Sequence, residues 1–515
     1  MSKGKLLAVS IVWLLILAAG VTVWKVVFAP AVEVSLEEQK RIEAEKARAE
    51  RDNQLRRGGT DSRYRTQVNL ALDGFSGYAV FRSPEFADEL SKQGIKLQLS
   101  DDGADYSARL EALRSGKVDM AVMTIDALVA TSADAGDLPA TIVAIVDETV
   151  GADAIVTYRD TYPNVDSLNR TDTRFVLTPD SPSETLARVV ISRFQLSELE
   201  KDPFIKVADA AEVMQKYKQA KPGDPLAYVV WQPFIAKMLQ NDRMHVVVDS
   251  SRFPSAIVDV LVVSDDFIAK NRDTVAQVVK AYLKANYAYR DDAQRIELVV
   301  KDAAATGTKL TQAEATQLVE GVWWKNTQEN LAHVGQRGGS HLPHIEDMIS
   351  GVTSVLVETG SIAADPTMGH PNYLYNDSIL KELADFHPGE QPEEVRGTSM
   401  PALTDEQWGS LVQIGTARAP TLVFARGTAS LTERSRVLLD ELAGTLQATR
   451  YYVIVRGNAS RRGNLEANQK LAEDRAKEVE QYLVSQGVDR DRIRAIGVEP
   501  SGSTSVSFVL GELPY

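Results

Sequence analysis

The chain has 515 residues, of which 44% are apolar and 25% charged, with a formal net charge of −14 at pH 7 and no cysteine. That length exceeds one core and sets an expectation of roughly two to four domains. The acidic balance, with no evident basic face, argues against a nucleic-acid partner. The missing cysteine removes disulfides, thiolate zinc sites, cysteine nucleophiles and a lipoprotein attachment point.

Leu6 to Trp24 is an uncharged apolar run of 19 residues. At 1.5 Å per residue it is about 28 Å long, near the roughly 30 Å hydrocarbon thickness of a bilayer. Lys3 and Lys5 precede it, and Trp13, Trp24 and Lys25 suit the interfaces. The positive-inside rule then places residues 1–5 in the cytoplasm, residues 6–28 across a bacterial inner membrane, and the bulk in the periplasm. A cleaved signal peptide ending at Ala29-Pro30-Ala31 is the competing reading. A signal core is usually shorter, about 7–15 residues, and proline is unhelpful in the cleavage site. Ser35-Leu36-Glu37-Glu38 forms a capping box that opens a charged helix over 35–57, ended by Gly58-Gly59. Its apolar residues are too few for a coiled coil, so it reads as a solvated stalk.

From 66 to 383, short apolar runs alternate with amphipathic stretches, the pattern of an α/β protein with mostly parallel strands. Strands are expected at Val68–Leu72, Lys96–Leu99 and Met120–Met123, with helices starting at Ser83-Pro84 and running from Tyr106 to Ser115. Ile142–Val146 and Ala154–Tyr158 read as strands leaving this first lobe. A second set follows, with strands at Phe175–Leu177, Ile205–Val207 and Ala227–Val230, before a return strand at Val258–Val263. Two such lobes leave a cleft where loops at strand ends face each other. Trp323-Trp324 falls in a stretch read as helical, as a packing surface.

The order of several short motifs carries a resemblance. Gly116-Lys117-Val118-Asp119-Met120-Ala121, Asp180-Ser181-Pro182-Ser183, Val229-Val230-Trp231-Gln232-Pro233-Phe234, Val260 to Ser264 and Glu358-Thr359-Gly360-Ser361-Ile362 follow one another over some three hundred residues. Together they resemble the nitrate/sulfonate/taurine-binding branch of type II periplasmic solute-binding proteins. The resemblance implies a cleft in which loop amides and hydroxyls at helix N-termini hold a small polar or anionic solute. On this chain the implied contacts are Ser76, Gly77, Tyr78 and Thr124 from one lobe, facing Ser181, Ser183, Trp231 and Gln232. Asp126 is expected to cap the helix after Thr124, and Ser183 has capping as an equal alternative. Gln232 stands where the branch has glutamate, which slightly favours a polar or anionic ligand. The branch is also similar to pyrimidine synthases of thiamine biosynthesis, but those need a cysteine-rich motif. No enzyme activity, cofactor or metal is expected; His341 and His344, with His333 and Glu346, make a poor metal set.

A Pro/Glu/Gly-rich stretch around His387–Pro392 marks a linker over 384–404. Beyond it, over 405–515, the order is β-α-β-α-β-β: a strand at Thr421–Phe424, a helix over Thr432–Leu446, a strand at Tyr451–Val455, a helix over Leu465–Gln486, and strands at Ile493–Ile496 and Val506–Leu510. Phe424, Val455-Arg456-Gly457 and Asn468 to Ala476 resemble the OmpA-like α+β domain that binds peptidoglycan. The resemblance carries Asn468 and Arg475 over as wall contacts, the arginine pairing with a diaminopimelate carboxylate. Ser460 stands where the family has the aspartate that meets the ammonium, a loss of about 1.5–3 kcal/mol in hydrogen bonding.

These readings converge on an anchored periplasmic receptor for a small polar or anionic solute, with peptidoglycan, the inner membrane and a permease or envelope protein as candidate partners. The alternative is a structural envelope protein with a vestigial cleft, tying the inner membrane to the wall.

Overall fold

The computed structural model describes residues 39, 42–43, 46–50 and 63–513, except 308, 338–341, 398–399, 418–421, 426 and 499–505. The expected span at 6–28 and most of the stalk lie outside the described residues. Among the described residues, no helix is long and apolar enough to cross a membrane.

The first lobe is a six-stranded sheet in the order β11-β4-β10-β3-β1-β2. β1 (Thr66–Leu72) lies parallel to both β2 (Ile95–Asp101) and β3 (Met120–Thr124). The long β4 (Ala140–Thr149) stays in this sheet, antiparallel to the return strand β10 (Val258–Ser264). Every residue of β3, β4 and β10 is buried, which explains their near-continuous apolar runs. The Gly116–Ala121 motif has a local cause. Gly116 takes a left-handed φ of +70°, which ends the preceding helix. Asp119 then accepts the Asn69 amide at 2.8 Å and ties β3 to β1.

The second lobe is a five-stranded sheet, β7-β6-β8-β5-β9. Here β6 (Arg174–Leu177) runs parallel to β7 (Phe204–Lys206) and β8 (Leu226–Trp231), while β5 (Asp153–Tyr158) runs antiparallel to β8 and β9 (Met244–Asp249). The chain crosses between lobes from β4 to β5 and returns from β9 to β10. Helix Ile345–Glu358 then packs against helices of both lobes.

Two expectations need correcting. Trp323-Trp324 is not helical: with Val322 it forms β11, antiparallel to the end of β4. In the C-terminal domain the edge strand is not Thr421–Phe424 but β12 (Val412–Ala417). Thr421 lies outside the described residues, and Phe424 makes only an isolated bridge to Leu431. The four-stranded order is β12-β15-β13-β14, where β13 is Tyr452–Gly457, β14 Ile493–Gly497 and β15 Val506–Glu512. Helix Leu465–Ser485 lies so close to β13 that a Cβ on Gly457 would meet the Ala472 carbonyl at 2.0 Å. Only glycine fits that crossing.

Neither connecting segment hangs free where it is described. Arg48 ion-pairs with Asp119, donates to Gln67 O at 2.9 Å and lies 4.1 Å from the Phe267 ring centroid. This residue of the stalk is therefore docked on the first lobe. In the stretch read as a linker, the Glu393 carboxylate accepts the Thr327 amide at 3.0 Å and the Arg396 amide donates to Glu329 at 2.9 Å. The second lobe and the C-terminal domain share one apolar cluster, sealed by Phe194 against Tyr451 and by an Arg252–Glu512 ion pair.

Candidate functional site

The cleft-facing end of the first sheet is where β1 and β3 stop and β10 begins. After β1 the chain turns at once into a short 3-10 helix, Ser76–Arg82, so Ser76, Gly77 and Tyr78 are held against the sheet end and buried. The Gly77 carbonyl accepts the Trp324 indole N–H at 2.7 Å, and the Tyr78 hydroxyl bonds to Asp259. Thr124 ends β3 and caps the next helix, its Oγ1 accepting from the Ala127 amide at 3.4 Å. Thr124 thus takes the capping role expected of Asp126. Asp126 reaches across the gap instead, where its carboxylate accepts the Thr185 hydroxyl of the second lobe.

On that second lobe, Ser181 occupies the N-cap position of helix Pro182–Arg193, but its side chain donates to Thr178 O at 2.7 Å rather than capping. Ser183 lies inside the helix, fully buried, with its hydroxyl 3.5 Å from Asp153. Between the lobes lies a cavity of about 250 Å³. Tyr106, Asp126 and Thr131 line it from one side, Ser181, Glu184 and Thr185 from the other, and Ser361 closes an end. Arg188 clamps this wall: it pairs with Glu184 and donates to the Thr359 carbonyl at 3.1 Å. Trp231 stands beside Asp153 in register and turns its ring edge to Phe234, with centroids 6.0 Å apart. Gln232 folds back on its own turn, accepting the Ala236 amide at 3.4 Å.

Sequence reasoning missed the acids. Asp259 lies opposite both Thr124 and Asp147 across the sheet, and Asp153 starts the first strand of the second lobe. All three are almost wholly buried. Burial pushes Asp153 up to about 7, with the nearby Asp259 charge adding to it. Burial also raises Asp147 and Asp126. Burial pushes Asp259 up to about 7 as well, and its neighbour Asp147 disfavours a second charge beside it. Of these raised acids, Asp126 is the one that lines the interlobe cavity. The available signal was charge placement: Asp147 ends an apolar run in its strand, and Asp259 interrupts one in the return strand.

The histidines are taken up structurally. His333 bonds the Pro343 carbonyl at 2.8 Å, and burial drops it to about 4. His344 accepts the Glu346 amide at 3.3 Å, Glu346 accepts the Tyr375 hydroxyl at 2.7 Å, and His341 lies outside the described residues.

In the C-terminal domain, Arg475 is buried under the Phe424 ring, 4.8 Å from its centroid, and donates to Thr428 O at 3.2 Å. Asn468 fastens the loop at the head of its own helix, its amide donating to the Ser460 and Arg462 carbonyls at 2.7 and 2.9 Å. The Ser460 hydroxyl accepts the Arg462 amide at 3.1 Å.

Two family models match the chain. Residues 90–295 match the NMT1/THI5 like family, and residues 423–503 match the OmpA family. The chain joins an NMT1/THI5-like domain to an OmpA domain. The OmpA domain is similar to the peptidoglycan-associated lipoprotein of Pseudomonas putida, at 36% identity over 89 residues, which is 17% of this chain and 54% of that protein. The chain thus spans about half the length of this curated relative. The NMT1/THI5-like domain is similar to a putative periplasmic sulfonate-binding protein of Methylobacillus flagellatus, at 12% identity and a TM-score of 0.48, covering 64% of this chain and 98% of that one. It is also similar to the periplasmic aliphatic sulphonate binding protein of Escherichia coli (15%, TM-score 0.44, covering 66% and 96%) and the nitrate-binding protein of Synechocystis (13%, TM-score 0.45, covering 62% and 88%).

Proposed function

We propose that the chain is a receptor of the bacterial cell envelope, anchored in the inner membrane by residues 6–28, that closes its two lobes on a small polar or anionic solute. The observation that carries this reading is the interlobe cavity, with Asp126, Ser181 and Thr185 on its opposing walls. Its volume of about 250 Å³ suits a small molecule and no macromolecule. The membrane anchor rests on the apolar run of residues 6–24.

A thermal-shift screen of nitrate, phosphate, bicarbonate, taurine and simple sulfonates tests it. A solute at a hundredfold excess over its Kd adds about 2.7 kcal/mol of stability. Ser181→Ala, which alters the cavity wall, is expected to remove most of that shift. A screen with no shift at all counts against the receptor.

The OmpA domain supports attachment to peptidoglycan, with Arg475 as the anion-holding group. Without the usual aspartate, binding is expected to be some ten- to hundredfold weaker than in a domain that keeps it. Sedimentation with purified sacculi is expected to carry down the wild type and leave Arg475→Ala in solution. The scaffold reading draws support from the apolar cluster shared by the second lobe and the OmpA domain. Sedimentation in full without any solute-dependent shift would favour it.

A further inference from the structure

A second and larger cavity lies between the NMT1/THI5-like domain and the OmpA domain. It encloses about 710 Å³, in the range of small-molecule pockets. Phe253, Met348, Val352 and Val355 give it an apolar wall. Three arginines line it: Arg193 at the end of helix Pro182–Arg193, and Arg450 and Arg492 from the OmpA domain. Phe194 and Tyr451 directly follow the first two, and their rings meet edge to face at 6.1 Å. Arg193 and Arg450 therefore line the cavity from either side of the domain boundary.

The three differ in how they are held. Arg492 donates twice to the Tyr451 carbonyl, at 3.1 and 2.9 Å. The side chains of Arg193 and Arg450 have no hydrogen bond or ion pair among the described residues, and Glu358 and Glu148 act on them only through space. Burial disfavours the charged form of both. A guanidinium drawn partly out of water without partners bears a desolvation cost, and a planar bidentate anion relieves it best. The cavity's own acids leave this cost largely unmet. Glu148 is paired with Lys325, Asp489 acts on Arg492, and neither Asp489 nor Asp347 pairs with Arg193 or Arg450.

We propose that this cavity is a second ligand site, taking an organic anion with an apolar body, its carboxylate or sulfonate held jointly by Arg193 and Arg450. One arginine comes from each domain, so the bound anion fastens the OmpA domain to the second lobe. The site is independent of the solute cleft and stands or falls without it.

Two dyes of nearly the same shape test it on the detergent-solubilised full chain. 8-Anilinonaphthalene-1-sulfonate carries the anion, and N-phenyl-1-naphthylamine lacks it. The sulfonate dye is expected to bind saturably at one site, and tenfold or more tighter than the uncharged dye. Arg193→Gln and Arg450→Gln are each expected to weaken the sulfonate dye by about tenfold or more while leaving the uncharged dye unchanged. Circular dichroism and melting curves establish that both variants fold, and Ser181→Ala is expected to leave dye binding intact. Equal affinity for the two dyes, no saturable binding, or unchanged sulfonate-dye affinity in both variants overturns the proposal.

Discussion

Lys325→Met is expected to lower the stability of the chain by about 3–5 kcal/mol, the usual consequence of stripping the partner from a buried charge. Lys325 is fully buried, and its ammonium pairs with Glu148 while lying 3.1 Å from the Trp323 ring centroid. Burial alone would raise the Glu148 pKa, but the Lys325 ammonium outweighs it and holds the carboxylate below its usual range. The Ser255 amide, donating at 2.7 Å, adds to this. Without the lysine, Glu148 must either stay charged in an apolar surround or take up a proton; both are costly. The test is a pair of urea titrations. Lys325→Met alone is expected to lose most of the stated energy, and Lys325→Met with Glu148→Gln to regain much of it. A single variant that unfolds with the wild type would remove the pair from the account of stability.

How far the sequence could be read depends on whether a residue's role is local or made by tertiary contact. Gly116 and Ser83 act within their own turns, so the helix stop and helix start they signal were legible: Gly116 is left-handed, and the Ser83 hydroxyl accepts the Phe86 amide at 3.2 Å. β12 was not. It is an edge strand with Ile414 buried but Val412 48% exposed, an alternation too short to mark a strand buried on one face. β11 has three residues, too few for any period, and exists because β4 offers it an open edge. The cleft residues divide in the same way. Of the expected ligand contacts, Ser181 lines the interlobe cavity, at a helix start that the Asp180–Ser183 motif points to. The grouping of Asp147, Asp153 and Asp259 depends on which strands become neighbours across two lobes, and one sequence does not state that.

Those acids make the unliganded chain sensitive to pH in a direction that follows from burial. Asp153 is held at about 7 in the folded chain against 3.8 in its ordinary state, chiefly because it is buried and secondarily because Asp259 and Asp126 are near. Between those two values the folded chain keeps a proton that the unfolded chain has released. Stability therefore falls as pH rises across that window, by at most about 1.4 kcal/mol per pH unit for one group, and levels off above 7. Asp126 and Asp147, also raised by burial, act in the same sense. Glu148 acts in the opposite sense, since its stabilising charge is fully present above its ordinary 4.5 and is lost as pH falls through its own lowered value. Asp153→Asn removes the ionisation while keeping a group of the same shape beside the Ser183 hydroxyl. The variant is expected to gain roughly 2–4 kcal/mol over the wild type at pH 8 and much less at pH 5. Melting curves of both proteins without solute at the two pH values decide it. A gain of equal size at both would mean that Asp153 carries no raised pKa, and that any benefit of the asparagine comes from packing alone.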